Sequence, residues 1–402
     1  MSILAQCGYG RGQKIEKGID AGLIDGVIMS PRDERRQRLE SDIQTWREAY
    51  PDAMILFDPQ FYASKFTNPR DGHLSEYEYY KNNSGLKRTH FSPSLIQKYV
   101  KECLDYQINI LGENPEYLIS PSISIDDFYD HWSQIAINLA IESADYHSSL
   151  NNPPPLLISI VVSETAFRSL PSVEEFLDIL TELEVEGFYL LIKRDANYLV
   201  HAYEPTAYSN ILYFCYILSV INGYKIISGY SDWHSFLLHT VGVNYTACGW
   251  YQNLRYFSLA RFQPSTGGTR PRKRYSSIPL LSNPLINPEF NSIFISGYIQ
   301  NALSESNYDY ILLNGPISGE GNWSDEISCF AHWYSLKTIV ERIESHALVA
   351  DRIIEANLII QSAQQLYLQL ENAGINFDPS TGPNHLDEWL SGLNEFRGIA
   401  HL

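Results

Sequence analysis

Cysteine is scarce in this chain and never paired. The five cysteines (Cys7, Cys103, Cys215, Cys248 and Cys329) are an odd number, lie far apart and form no C-x-x-C. A disulfide framework or an all-cysteine zinc site is therefore not expected, and the usage fits a reducing cytoplasm. No run is apolar enough to span a bilayer comfortably. The most apolar stretch, "NILYFCYILSVING" at 210–223, is too short and reads as a buried helix. The opening "MSILAQCGYGRGQK" lacks the basic, apolar, small-residue order of a signal peptide. Basic charge is also in short supply: 29 Lys and Arg against 47 Asp and Glu leave a formal net charge of −18. That balance helps solubility and opposes non-specific binding to a phosphate backbone. Walker A, G-x-G-x-x-G, triad and zinc signatures are all missing.

What is present is a large apolar fraction. Hydrophobic residues make up 44% of 402 positions and charged residues 19%, enough for a sizeable core. The length suits one large domain with a substantial addition, or two domains. Tyrosine is abundant, 28 copies against 17 phenylalanines, which points to rings half-buried at interfaces or ligand sites. One basic cluster interrupts the acidity. "GGTRPRKRYSS" packs Arg270, Arg272, Lys273 and Arg274 into five positions, and reads as a solvated loop or as a nucleic-acid contact.

Short apolar runs recur through the first 250 residues: "SILAQCG", "LIDGVIMSP", "AMILFDP", "EYLISPS", "LLISIVVSE", "GFYLLIKRD", "YKIISGYS" and "VNYTACGW". Most are separated by stretches of helical period, such as "RLESDIQTWREAY" and "SLIQKYVKECLDYQINIL". Eight β-α units predict an α/β chain, a (β/α)8 TIM barrel over residues 1–260, with an open doubly wound sheet as the alternative. After residue 260 the rhythm stops. Residues 261–402 read as a loop-rich segment, with a candidate strand at "YDYILLNGP", followed by a helical C-terminal extension that packs on the barrel or on a partner. Residues 63–92 form a long Tyr-rich insert, a candidate lid or binding loop.

In a barrel, function sits where the strands end. Those ends offer Asp58 and Gln60, Ser122, Glu164, Lys193 and Asp195, Tyr230 and Asp232, and Trp250. Glu164, Lys193 and Asp195 fall on consecutive strands, where mutual charge tunes pKa values at a catalytic rim or simply closes the rim as a salt bridge. The glycines of "CGYGRGQK" suggest a phosphate loop but suit a tight β-α turn better. His234 and His239 are five apart, off the same-face spacing of a helical metal pair.

Taken in chain order, several segments resemble the tRNA-guanine transglycosylase family of base-exchanging barrels. "ILFDPQF" resembles that family's strand ending in D-S-G-G-F-Q, with Asp58 at its aspartate. "HFSPSLIQKYV" resembles its L-S-P-E segment, and "IISGYSDWHSFLLHTVGVNYTACGWYQNLRYF" the stretch from G-V-G-T-P to P-T-R-N-A-R. "FAHWYSLKTIVERI" resembles the helix bearing a zinc-ligating histidine, which puts His332 there. The departures are specific. Ala247 stands where the family has its nucleophile, Ser122 where it reads the base, and Tyr308, Tyr310 and Leu313 where it has zinc cysteines. The resemblance implies a divergent protein that exchanges or cleaves an N-glycosidic bond of a nucleobase, nucleoside or nucleic acid, in nucleic-acid modification or phage defence. Asp58 would be nucleophile or base, with Glu164, Asp195 or Asp232 as its partner. Gln60, Tyr62, Ser122, Lys193, Tyr230 and Trp250 would line the pocket, and Arg270, Arg272, Lys273 and Arg274 would touch nucleic acid. No cofactor and no structural metal are expected. The other reading is an inactive barrel that serves as a scaffold, with a protein partner or a second copy.

Overall fold

The computed structural model describes residues 3–67, 69–80, 85–112, 114–194, 201–264, 272–315, 317 and 322–402. All eight apolar runs become strands: β1 (Ile3–Gln6), β2 (Gly26–Met29), β3 (Met54–Phe57), β4 (Leu118–Ile119) with β5 (Ser124–Ile125), β6 (Leu156–Ser163), β7 (Gly187–Lys193), β8 (Lys225–Ser228) and β9 (Tyr245–Cys248). Every ladder is parallel, in the order β3-β2-β1-β9-β8-β7-β6-β4. β3 lies beside β4, so the sheet curls into a nearly closed eight-stranded (β/α)8 barrel. The strands are buried almost throughout, as expected of a parallel sheet covered on its outer face.

The fourth strand is split because of its sequence. Pro121 has no N–H to give a ladder, and β4 and β5 pair with β6 on either side of it. Within the gap the Ser120 hydroxyl accepts the Ser159 N–H at 2.9 Å, which keeps β6 satisfied. Close strand contact also explains Gly187, where a Cβ would lie 1.9 Å from the Lys225 carbonyl oxygen.

The outer layer consists of α1 (Lys14–Asp20), α2 (Arg36–Ala49), α3 (Pro93–Leu111), α4 (His131–Ser149), α5 (Leu170–Leu180), α6 (Pro205–Tyr216) and α7 (Ser235–Thr240). Short helices α8 (Asn291–Ile295), α9 (Ile299–Ala302) and α10 (Asp309–Leu313) precede three long ones, α11 (Asp325–Glu344), α12 (Val349–Asn372) and α13 (Asn384–Ile399). α11 packs on α7 and β1. Its Trp333 indole donates to the Cys248 carbonyl of β9 at 2.9 Å, and Lys337 reaches Asp25 at 3.3 Å. α11 therefore fills the place of the eighth barrel helix, and the division expected at residue 260 does not separate barrel from extension. α12 and α13 form the true extension, packed on α7 and α6.

Two local expectations are corrected. "YDYILLNGP" contains a helix, α10, and no strand. Ser306 starts it, accepting no ladder but exchanging bonds with Asp309: its N–H donates to Oδ2 at 3.0 Å and its hydroxyl to Oδ1 at 2.6 Å. The described part of the insert after β3 is largely packed down. Tyr77 and Tyr79 are buried against Phe57 and Tyr106, and the Tyr79 hydroxyl donates to the Pro59 carbonyl at 3.0 Å. No helix among the described residues is long and apolar enough to cross a membrane.

Candidate active site at the strand ends

Asp58 follows β3 and is 1% exposed. Pro59 ends the strand, and Gln60 adopts the left-handed conformation (φ 53°), which turns the chain back so that its N–H donates to Asp58 Oδ1 at 3.0 Å. The Tyr62 hydroxyl donates to Oδ2 at 2.9 Å, and Tyr189, from the middle of β7, donates to the same oxygen at 3.3 Å. Burial pushes the carboxyl up to about 6, despite those three donors and nearby Arg261. Gln6 of β1 is fully buried beside Tyr189, and its amide finds no partner of good hydrogen-bond geometry among the described residues. Gln60 spends its own amide on the Ser30 hydroxyl (2.9 Å) and the Arg32 N–H (3.1 Å).

A charged plug closes this chamber. Asp33 accepts from Arg32 through Oδ1 and from Arg261 through Oδ2, both at 2.6 Å. Arg261 also donates to the Tyr230 hydroxyl at 2.6 Å, and both guanidinium groups lie against the Phe262 ring. Tyr62 meets Phe257 and Phe262 edge-on. The result is an aromatic and ionic seal over Asp58.

The other half of the rim is a crevice at the ends of β7, β8 and β9. It is lined by Arg194, His201, Tyr203, Tyr230, Asp232, His234, Arg255, Tyr256 and Phe257, among others. Its enclosed part measures about 20 Å³, room for a single water, and with its open mouth the depression spans about 400 Å³. Asp232 Oδ1 accepts the Trp233 N–H at 2.9 Å and lies 3.2 Å from His332 Nε2, while Oδ2 lies 3.9 Å from His201 Nδ1. Burial opposes ionisation of Asp232, but His332, His201 and Arg255 together hold it well below the usual carboxylate range. The imidazoles go the other way: burial lowers His332 to about 4 and His234 to about 3. At neutral pH, then, Asp232 is an anion facing neutral rings.

On its far side, His332 Nδ1 lies 2.8 Å from the Ser276 hydroxyl, which also reaches Asn283 Oδ1 at 2.8 Å. Asn283 and Nδ1 share the one Ser276 hydroxyl, and the tautomer compatible with an ionised Asp232 is the one that turns Nε2–H toward its carboxylate. The order Ser276–His332–Asp232 is no hydrolytic triad, since Ser276 and His332 are both buried away from the crevice lining.

The remaining sequence candidates scatter. Glu164 accepts from Arg194 Nε at 3.0 Å, and Lys193 pairs with Asp126 on the rim. Ser122 borders a small apolar gap between the barrel wall and α4 and α5. Trp250 is a structural anchor, its indole donating to the Tyr9 carbonyl at 2.9 Å. Arg272 and Arg274 donate to the carbonyls of Asn287 (2.7 Å) and Asn283 (2.9 Å), with Lys273 half-buried between them. Asp195 and Arg270 lie outside the described residues. The structure thus gathers Asp58, Gln60, Tyr62 and Tyr230 at the sealed chamber, and Tyr230 and Asp232 at the crevice. Sequence reasoning missed Tyr189, Arg194, His201, Arg255 and Arg261. Only Tyr189 had a usable signal, since strand alternation puts it on the same face of β7 as Lys193.

His239 is structural too, its ring spanning Glu344 at 3.0 Å and the Thr246 hydroxyl at 3.2 Å. Among the described residues no three His, Cys, Asp or Glu side chains are placed to hold a metal ion. No family model matches this chain, and no curated protein matches it in sequence.

Proposed function

We propose that the protein is a divergent transglycosylase-like barrel that exchanges or cleaves the N-glycosidic bond of a nucleobase, nucleoside or nucleic acid, with Asp232 at its chemical centre. The observation that carries this reading is one juxtaposition. An ionised, buried carboxylate sits in a crevice walled by Tyr203, Tyr230, Tyr256 and Phe257, at the barrel end where such enzymes work. Aromatic walls suit a flat heterocycle, and a carboxylate suits the sugar carbon as its bond to the base breaks. His332 positions Asp232. Glu164, held by Arg194, is the second carboxyl group on this half of the rim and the candidate for managing the proton of the departing base. Asp58, sealed beneath Phe257 and Phe262, positions Tyr62 and Tyr189 rather than making bonds.

A second reading has its own support. The Asp33 plug and the water-sized crevice describe a barrel mouth filled by its own side chains, which suits a scaffold. One experiment separates the two. Nucleosides and nucleic acid are incubated with wild type and with Asp232→Asn, and released base is followed by mass spectrometry. The enzyme reading predicts release by wild type and a loss of at least ~100-fold in the variant, with circular dichroism unchanged. Equal behaviour of the two proteins would remove it in favour of the scaffold.

A further inference from the structure

Among the described residues, the buried arginines hold carboxylates at ion-pair distance, with one exception. Arg11 is 7% exposed and pairs with Asp42 at 2.7 Å, and Arg194 is 6% exposed and pairs with Glu164 at 3.0 Å. Arg255 is 5% exposed, and among the described residues it hydrogen-bonds from Nε to the Gly249 carbonyl at 3.1 Å. No carboxylate among the described residues comes within ion-pair distance of it. Asp232 is felt only across the crevice, beyond contact. A guanidinium so far withdrawn from bulk water is normally paired. Arg255 lines the crevice, and its terminal nitrogens, with no ion-pair carboxylate among the described residues, are open to an acceptor there.

We propose that Arg255 anchors a phosphate subsite in the mouth of the crevice, so that the substrate of this barrel is a phosphorylated nucleoside unit, free or within a polynucleotide, and not a bare nucleoside. This rests on the reading of the crevice given above and names its substrate more closely. A guanidinium offers two parallel N–H donors to two phosphate oxygens, a match that an ammonium cannot make. The other donors in the crevice fit the same ligand. His201 and His234 are neutral, so they contribute N–H groups or lone pairs without adding charge. Arg274 lies close enough to be felt at His201 and adds positive potential there. The Asp232 anion keeps a phosphate from its own end. A phosphate on Arg255 would leave the sugar between the two groups, with its anomeric carbon toward the carboxylate. The enclosed part holds only a water, so the phosphate belongs in the open mouth.

The test is binding, independent of turnover. Wild type, Arg255→Lys, Arg255→Gln and Arg272→Ser/Lys273→Ser are titrated by calorimetry and thermal shift. The titrants are inorganic phosphate, chloride at matched ionic strength, nucleosides and nucleoside 5′-monophosphates. The proposal expects a saturable phosphate response in wild type and at least tenfold tighter binding of monophosphate than of nucleoside. Both effects should be lost in the two Arg255 variants and kept in the loop double variant. Arg255→Lys retains the charge, so it answers the question even if Arg255→Gln does not fold. A phosphate response no larger than that of chloride, or a monophosphate preference surviving in both Arg255 variants, would overturn it. The two proposals fail differently. An Arg255-dependent phosphate response without nucleoside binding keeps the subsite and removes base exchange, while nucleoside binding without phosphate preference does the reverse.

Discussion

At the level of single side chains, Asp58 and Asp232 are two buried carboxyl groups at one barrel end with opposite proton affinities. Asp58 is raised to about 6 by burial, so the folded protein binds its proton more tightly than the unfolded chain does. The stability this group contributes is full below the ordinary aspartate value near 4 and is lost as pH rises through about 6. Asp58→Asn removes the need to ionise while keeping an oxygen for the Gln60 N–H, and its amide can donate to the Tyr62 and Tyr189 hydroxyls. At pH 7.5 the variant should therefore be more stable than wild type by about 2 kcal/mol, and the gap should close toward pH 4. Urea unfolding across that range checks it, and a pH-independent gap would show that Asp58 stays ionised when folded. Asp58, Gln60 and Tyr62 were legible in the sequence because their relation is local: Pro59 ends a strand and the next turn brings the chain back. Tyr189, Arg255 and Arg261 were not. Tyr189 reaches Asp58 across the barrel, which depends on the register of non-neighbouring strands. The two arginines sit in irregular chain with no period to read.

Elements were legible where period and length agreed. All eight strands fall on the apolar runs, and α2 and α3 on the helical stretches between them. The eighth helix was not, because the 76 residues between β9 and α11 hide the β-α rhythm. Sequence order alone made α11 an appendage; packing makes it part of the ring. Two outcomes follow. Trp333 is wholly buried against α1 and β9, so Trp333→Ala should cost about 4 kcal/mol, read from the shift of the urea midpoint. A chain ending at residue 322 should lack a cooperative unfolding transition. If that truncated chain melts cooperatively with native-like circular dichroism, α11 is dispensable and the first division of the chain at residue 260 was the better one. α10 shows the opposite kind of misreading: an apolar hexamer looked like a strand, but Ser306 and Asp309 close a helical turn and no strand among the described residues pairs with it.

Over the whole molecule, the formal charge of −18 sets how any polynucleotide would approach. Basic side chains recur in the irregular chain after β9: Arg255, Arg261, Arg272, Lys273 and Arg274. Arg272 and Arg274 also brace their own loop, so a test of charge alone is best made with Arg272→Ser/Lys273→Ser. That pair should reduce the slope of log affinity against log salt by about 1–2 for single-stranded nucleic acid, with stability nearly unchanged. An unchanged slope would take the loop out of the binding surface. The central claim, that the crevice at Asp232 receives a base, is tested most directly by a crystal structure of the protein soaked with guanine or a 7-deazaguanine. The account predicts a planar ring seated against Tyr230 and Tyr256 within reach of Asp232. A crevice that stays empty at saturating base, or a base seated elsewhere on the barrel, would contradict it.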